Sequence, residues 1–185
     1  MNLEGASLKY VNLTDSKLFH SNLRGADLSY ANLSRADLRT ADLRGANLTG
    51  ARLGRTSLVH AHLEGADLSL AAINQADLRF AQMKEANLFS AILVESNLSY
   101  TDLSSSNLSF ADATAAVFAL SDLRDSICFK TNFAMAELFR SNLERSVMRK
   151  ANLLGANLSG ASINGADFSD ATLRDSIRPD GSIHD

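Results

Sequence analysis

Four sets of residues in this 185-residue chain are of types that could carry chemistry. His60 and His62 lie two places apart in the segment HAHLE, and two histidines at this spacing can bind a metal ion from one strand. Cys128 is the one cysteine and a candidate nucleophile. Paired carboxylates could do acid–base work, and clustered glycines could hold a phosphate. What each set can do depends on the element that positions it.

The composition narrows the class of protein and its partners. The formal net charge of −3 is small, so neither nucleic-acid phosphates nor an anionic membrane is an evident partner. No apolar run approaches the roughly 20 residues of a spanning helix, and no signal-like segment precedes Met1. A single cysteine excludes an intrachain disulfide. We therefore expect a cytoplasmic protein, or one from which a leader or flanking domain has been removed.

The chain is an array of five-residue units that keep one register from Met1 to Asp175. In the stretch Ala26 to Leu48, which reads ADLSYANLSRADLRTADLRGANL, every fifth residue is Leu. The first place of a unit is nearly always Ala, Ser or Thr, the second is usually Asn or Asp, and the third is Leu or another apolar residue. The fourth and fifth places are usually polar, charged or Gly. This self-similarity indicates a repeat protein.

Neither a helix nor a long strand fits a period of five. At about 100° per residue, successive leucines would advance by about 140° and spiral around a helix. In a long strand an odd period puts successive leucines on opposite faces. Within one unit, however, the first three places alternate inward, outward, inward. The pattern predicts a very short strand and a bend, repeated so that each coil pairs with the next.

The sequence resembles the pentapeptide-repeat family, whose motif is A(D/N)LXX, over nearly the whole chain. The resemblance implies an all-β fold: a right-handed quadrilateral parallel β-helix, or solenoid, of about nine coils of four pentapeptides. At the roughly 4.8 Å spacing of paired strands, the rod would be about 42 Å long. Residues at the first and third places would point inward and the other three outward.

We expect two segments, a pentapeptide-repeat β-helix over 1–175 and a C-terminal tail over 176–185. Arg178 stands at a third place, where an unpaired charge could not be buried. Pro179, Asp180 and Gly181 form a turn signal. No helical segment is evident at either end, so we expect uncapped coil ends through which the protein could self-associate.

Ala113 replaces a third-place Leu, which alone would leave a void costing on the order of 2–5 kcal/mol. Phe118 stands one unit later and Phe133 one coil later. We predict that these two rings fill the space, so that this region is a repacked core and not a ligand cavity.

The register also predicts where in the unit each residue that could carry chemistry lies, and hence whether it is buried or exposed. His60 falls at a bend and His62 on the next short strand, so a surface role is favoured over a metal site. Cys128 falls at a third place and is predicted to be a small buried hydrophobe. The second-place column Asp27, Asn47, Asp67, Asn87 and Asn107 is predicted to hydrogen-bond along the rod. We predict no catalytic residue, no metal and no cofactor, and hence no enzyme.

The stacked acids Asp102 and Asp122 and the glycines have structural interpretations as well. The two acids lie one coil apart with no predicted cleft around them, so a structural role is favoured. Seven glycines fall at the fifth place, where the chain must bend, and they do not form a phosphate loop: Gly25, Gly45, Gly50, Gly65, Gly155, Gly160 and Gly165.

The resemblance also raises DNA mimicry, since some members of the family bind DNA gyrase through an acidic rod. The most acidic face of the implied coil, which carries Leu23, Leu43 and Leu63, has eight acids and five bases. Duplex DNA presents one charge per roughly 1.7 Å, or about 25 over such a rod. The charge pattern therefore argues against mimicry.

Between Val117 and Val147 apolar residues occupy outward places that carry polar residues in earlier coils. Ile127, Phe129 and Val147 share one face, and Val117, Leu120 and Phe139 share the opposite one with Phe80 and Tyr100. Either these are scattered exposed residues or they form a contact surface for a protein partner or a second protomer. We take these six residues of the segment as the candidate protein-contact surface: Val117, Leu120, Ile127, Phe129, Phe139 and Val147.

The sequence therefore predicts a non-catalytic β-helical scaffold or protein-binding module whose partner it does not name. Self-association through the coil ends or the 117–147 surface is a second expectation. No nucleic acid, membrane or small-molecule substrate is evident. The alternative is a DNA-mimicking regulator of DNA gyrase or a related topoisomerase.

Overall fold

The computed structural model describes residues 1–184; Asp185, the last residue of the expected tail, lies outside the described residues. From Met1 to Asp175 each unit forms one β-bridge at its second place and a turn at its fourth and fifth places. The bridges are parallel and join residues twenty apart, from Asn2 with Asn22 to Asn157 with Ile177. The chain is thus a β-helix whose coils each contain four units.

Each of the four units of a coil forms one face of the rod. The first face contains residues 21–25, the second 26–30, the third 31–35 and the fourth 36–40, and each face continues at intervals of twenty residues. The first and third faces are opposite, as are the second and fourth. Residues twenty apart therefore stack in a column along the rod.

Backbone hydrogen bonds explain why the units have this sequence. The amides of the second, third and fifth places bond to neighbouring coils, and the first-place amide closes the turn, as in Ala26 N to Leu23 O at 3.0 Å. The fourth-place amide bonds to the second-place side chain, as in Arg24 N to Asn22 Oδ1 at 3.1 Å. Asn or Asp at the second place thus supplies the acceptor that the unit otherwise lacks.

The turns use an unusual backbone conformation at every fifth place. The value of φ there is positive throughout, from 52° at Arg140 to 71° at Gly165. A positive φ at the third residue of a four-residue turn is the signature of type II. The predicted bend is therefore confirmed, but large side chains such as Tyr30 and Lys130 adopt it as readily as glycine. The hydrogen bonds on either side of the turn hold them there.

Third-place leucines and first-place alanines form one continuous core along the rod. Buried first-place hydroxyls donate to carbonyls, as in Ser106 Oγ to Leu103 O at 2.6 Å. The predicted repacking is confirmed, because Phe118, Phe133 and Ala113 are all fully buried. The two rings meet edge to face with their centroids 5.5 Å apart.

The end of the described chain folds back on the last coil. Ile177 pairs antiparallel with Ile183, and the amide of His184 donates to Ser176 O at 2.9 Å. Pro179 and His184 help to enclose an apolar cavity of about 200 Å³ against third-place core residues. The tail thus covers part of the C-terminal coil end, and the prediction of an uncapped end is wrong there.

Candidate functional site

The six candidate contact residues all point outward, but they form two patches on opposite faces of the rod. Val117, Leu120 and Phe139 lie on the fourth face, and Ile127, Phe129 and Val147 lie on the second. Leu120, Ile127 and Phe139 are exposed by 42, 46 and 37%, whereas Val117, Phe129 and Val147 are half-buried. One partner could not cover both patches without wrapping the rod.

The fourth-face patch comprises Phe80, Tyr100, Val117, Leu120 and Phe139. Its two upstream rings stack in parallel at the turn, with centroids 4.8 Å apart and planes 10° apart. His60 extends this stack, with its ring centroid 4.9 Å from that of Phe80. The grouping of Phe80 and Tyr100 with the downstream residues on one face is as the sequence predicts.

Charges around the fourth-face patch are balanced. Arg79 pairs with Asp77 at 2.8 Å on the same face. Arg140 lies over the ring of Phe139, 5.0 Å from its centroid, and Glu137 occupies the second place of the same unit. The patch is therefore an apolar strip with a rim of both signs of charge.

The second-face patch comprises Phe89, Phe110, Ile127, Phe129 and Val147. Phe110 contacts both other rings edge to face, with its centroid 5.4 Å from that of Phe89 and 5.5 Å from that of Phe129. Lys130 Nζ lies 5.5 Å from the centroid of Phe110 and 5.6 Å from that of Phe129. The patch is thus larger than the predicted trio.

Phe89 and Phe110 are not among the contact residues predicted from the sequence. Each is a lone aromatic at a turn, and neither lies between Val117 and Val147. The signal that could have found them is the column spacing, since Phe110 lies nineteen and twenty-one residues from its two aromatic neighbours. Adjacent coils bring such residues together.

Where the second place is apolar, the unit lacks the hydrogen bond from its fourth-place amide to the second-place side chain. Asn97 Oδ1 accepts from Ser99 N at 3.0 Å, whereas Val117, Ile127 and Val147 have no side-chain acceptor. Within residues 1–184 no protein acceptor bonds the fourth-place amides of those three units: Ala119, Phe129 and Arg149. Both patches therefore contain units in which a fourth-place amide lacks the side-chain acceptor that Asn or Asp would supply.

The residues that suggested catalysis or metal binding do not converge. His60 stacks at a fourth-face turn, whereas His62 lies on the first face with Nδ1 3.6 Å from Glu64 Oε1. Residues 1–184 contain no group of three or more His, Cys, Asp or Glu that could hold a metal ion. The same residues contain no helix with the length and apolar character that a membrane crossing requires.

Cys128 lies in the core, as predicted. Its side chain is fully buried, and burial raises the pKa of the thiol to about 12. Ser126 Oγ lies 3.5 Å from its Sγ atom. A neutral, enclosed thiol of this kind behaves as a small hydrophobe.

The second-place column makes the hydrogen bonds along the rod that the sequence predicts. Asn87 Nδ2 donates to Asp67 Oδ1 at 3.0 Å, and Asn107 Nδ2 donates to Asn87 Oδ1 at 3.4 Å. Asp102 and Asp122 do stack as a bridged pair. Asp122, however, is engaged by Arg124, whose Nε lies 2.9 Å from its Oδ1 atom.

Acids on the first face are largely neutralised by bases. Five of the eight lie within 4 Å of a Lys or Arg of that face: Asp42, Glu85, Asp122, Asp125 and Glu144. Arg44 hydrogen-bonds the Asp42 carboxylate and lowers its pKa to about 2. Pairs of this kind give the face little free negative charge.

A family model described as pentapeptide repeats matches the chain in eight copies, over residues 1–25, 21–58, 51–88, 81–119, 91–127 and 136–175. Comparison with curated proteins found no match.

Several solved structures are similar, among them those of HetL, alr5209 and QnrB1. HetL, a pentapeptide repeat protein involved in heterocyst differentiation regulation from the cyanobacterium Nostoc sp. strain PCC 7120, is 31% identical; the alignment covers 100% of this chain and 92% of HetL, with a TM-score of 0.45. The Nostoc protein alr5209 is 38% identical over 46% of this chain and 69% of its own, with a TM-score of 0.44. A trypsin-treated form of QnrB1, a plasmid-mediated fluoroquinolone resistance protein, is 16% identical over 93% of this chain and 89% of its own, with a TM-score of 0.54. This last likeness is one of fold alone.

Proposed function

The chain belongs to the pentapeptide-repeat family, and we propose that it is a non-catalytic scaffold that binds a protein partner through the fourth-face patch. In this proposal residues 1–175 form a right-handed quadrilateral β-helix of about nine coils, and residues 176–185 form its tail. Ile127, Phe129 and Val147 on the second face provide a separate binding surface.

The observation that carries the proposal is the apolar residue at position 117. Asn or Asp at this second place would bond the amide of Ala119, as Asn97 does for Ser99 one coil earlier. Val117 supplies no such bond. When an outward-facing residue lacks a stabilising contact that the same place makes in neighbouring coils, binding is a common reason.

The surroundings of the fourth-face patch fit a protein partner. Aromatic residues in the centre with charges of both signs at the rim are the usual composition of a protein interface. Tyr100 and Phe80 are already ordered by stacking, so little side-chain entropy remains to be lost on binding. The flat face of a coil suits a partner with an equally flat surface.

The test is capture from native lysate with the wild-type chain and with Leu120→Ser/Phe139→Ser. We expect at least one partner, or a second copy of the chain detected by mass, to be lost with this variant. The control is Tyr10→Ser/Met135→Ser, which removes apolar side chains that are 73 and 61% exposed away from both patches. If the partners and the oligomeric state were the same for all three proteins, the fourth-face patch would not be the contact surface.

The alternative function is regulation of DNA gyrase or a related topoisomerase by DNA mimicry. The paired acids of the first face weaken it, since mimicry requires unneutralised charge at short intervals. The likeness to QnrB1 concerns the fold alone and does not bear on the charge of the first face. A supercoiling assay with micromolar protein that showed neither inhibition nor protection would remove this alternative.

A further inference from the structure

The second face carries an unusual stretch over residues 86–90, 106–110, 126–130 and 146–150. Its twelve outward side chains include the five apolar residues of the second-face patch and three bases, Lys130, Arg149 and Lys150, but no acid. Phe89, Phe110 and Ile127 are exposed by 39, 45 and 46%. Exposed aromatic residues thus occur beside positive charge alone.

The rest of the second face differs from this stretch in that it contains acids. Asp27 and Asp67 precede the stretch in the same column, and Asp167 and Asp170 follow it. Arg149 Nε lies 3.8 Å from Asp167 Oδ2, while Lys130 and Lys150 have no acid within 4 Å among residues 1–184. The whole chain is slightly acidic, so the local charge has the opposite sign to the net charge.

The geometry presents these groups on one plane. Four coils stack in register through the parallel bridges from Asn87 to Val147, so their outward side chains lie on the same face. Lys130 lies beside the rings of Phe110 and Phe129, and its fifth place at the turn leaves the ammonium group exposed. Aromatic rings with neighbouring cations on a flat surface are suited to the headgroup region of a bilayer.

We infer that the second-face patch and its three bases bind the surface of an anionic lipid bilayer. The rings enter the boundary between headgroups and acyl chains, and the bases contact the anionic headgroups. A second copy of the chain fits less well, because the stretch has three bases and no acid. Two such stretches facing each other would bring only like charges together.

The test measures co-sedimentation of the full chain with two kinds of vesicle. One is phosphatidylcholine alone, and the other contains one quarter phosphatidylglycerol. We expect binding to the anionic vesicles to be about tenfold tighter or more, because each base near the surface contributes roughly fivefold. The binding should fall as salt shortens the roughly 10 Å screening length.

Two variants separate the contributions of the bases and of the aromatic rings to vesicle binding. Each has a matched control on another face. Lys130→Gln/Lys150→Gln should lower affinity for anionic vesicles about tenfold or more, whereas Lys17→Gln/Lys84→Gln, with the same change in net charge, should not. Phe110→Ser/Phe129→Ser should weaken binding to both kinds of vesicle, whereas Phe80→Ser/Phe139→Ser should not. The lysine variants alter exposed turn residues only, so they test the inference even where the phenylalanine variant fails to fold.

Three results would overturn the inference. They are equal sedimentation with and without phosphatidylglycerol, equal losses in the test and control variants, and a dimer that dissociates on Phe110→Ser/Phe129→Ser with no vesicle binding. The inference adds a lipid ligand to the proposed protein-binding role and stands apart from it. Loss of a protein partner through Leu120→Ser/Phe139→Ser with unchanged sedimentation would support both proposals separately.

Discussion

Phe118 and Phe133 meet edge to face inside the rod, 5.5 Å between ring centroids, beside an alanine at a place that elsewhere holds leucine. Ala113 N donates to Asn132 O at 2.8 Å, so the alanine and Phe133 are stacked neighbours along the core. Two large side chains and one small one therefore fill the volume of three leucines. The three positions should be energetically coupled.

Ala113→Leu alone should destabilise the chain by about 1–3 kcal/mol because it overpacks this cluster. Phe133→Leu alone should also destabilise it, by about 1 kcal/mol, because it leaves a void. The double variant should recover much of both losses. Urea unfolding followed by circular dichroism measures all three, and a double variant whose loss equals the sum of the single losses would contradict the coupling.

Asn97→Ala should destabilise the chain by about 1 kcal/mol, because the Ser99 amide and hydroxyl lose their shared acceptor. Asn97→Asp keeps an oxygen in the same place and should have a much smaller effect. Thermal unfolding of the two variants tests the assignment. Equal losses for Ala and Asp would show that the side-chain acceptor is not what stabilises the turn.

Val117→Asn should stabilise the chain by about 0.5–1 kcal/mol, because it supplies an acceptor to the Ala119 amide. It should at the same time weaken partner binding through the fourth-face patch. Val117→Ala is the matched control, since it shortens the side chain without adding an acceptor. A fall in stability on Val117→Asn would mean that the valine contributes more to folding than the missing hydrogen bond.

Cys128 should resist thiol reagents at pH 8 for as long as the chain is folded, since burial raises its pKa to about 12. The measurement is the labelling rate with a chromogenic disulfide at increasing urea. The rate should follow the unfolded fraction, and the fully unfolded chain should react at once. Rapid labelling of the native protein would show that the core opens locally around this coil.

Stability should decline in acid below about pH 4, partly through Asp42. Its pKa falls from an ordinary 3.8 to about 2 because Arg44 bonds to the carboxylate. A depressed pKa gives stability that is present above the unfolded value and is lost as the pH falls towards the folded one. Asp42→Asn keeps the acceptor for the Arg44 amide but should reduce the acid sensitivity by a few tenths to about 1 kcal/mol.

Arg44→Gln provides the matched variant, because it removes the same pair from the other side. Both variants should show a smaller change in unfolding midpoint between pH 5 and pH 2 than the wild-type chain. If Asp42→Asn responded to acid as strongly as the wild type, other carboxylates would account for the loss.

The regular parts of this fold can be predicted from local sequence because each unit repeats the same contacts. The five-residue period places Leu33 in the core, and the substitution of Ala113 among leucines predicts the positions of Phe118 and Phe133. The positive φ at residues such as Tyr30 is not predictable from residue type, since hydrogen bonds from two neighbouring coils impose it. The antiparallel pairing of Ile177 with Ile183 likewise depends on contacts that only the folded chain creates.

The candidate site is predictable only in part. Outward placement of Ile127 and Phe139 follows from the register alone. The contact of Phe110 with Phe89 and Phe129 depends on which residues adjacent coils bring together and on side-chain rotation at the turn. Among residues 1–184 no acid lies within 4 Å of Lys130, and this too depends on which residues stack in a column and not on any short segment.

Changes in chain length should be accepted only in certain steps. Deletion of one residue would shift every later side chain by one place and move second-place acids such as Asp67 towards the core. Deletion of one five-residue unit would preserve the core pattern but turn everything after it by a quarter of the circumference. Deletion of twenty consecutive residues would shorten the rod by about 4.8 Å and leave all four faces aligned. A whole coil of twenty residues is thus the smallest length that can be removed without rotating one part of a face relative to the rest.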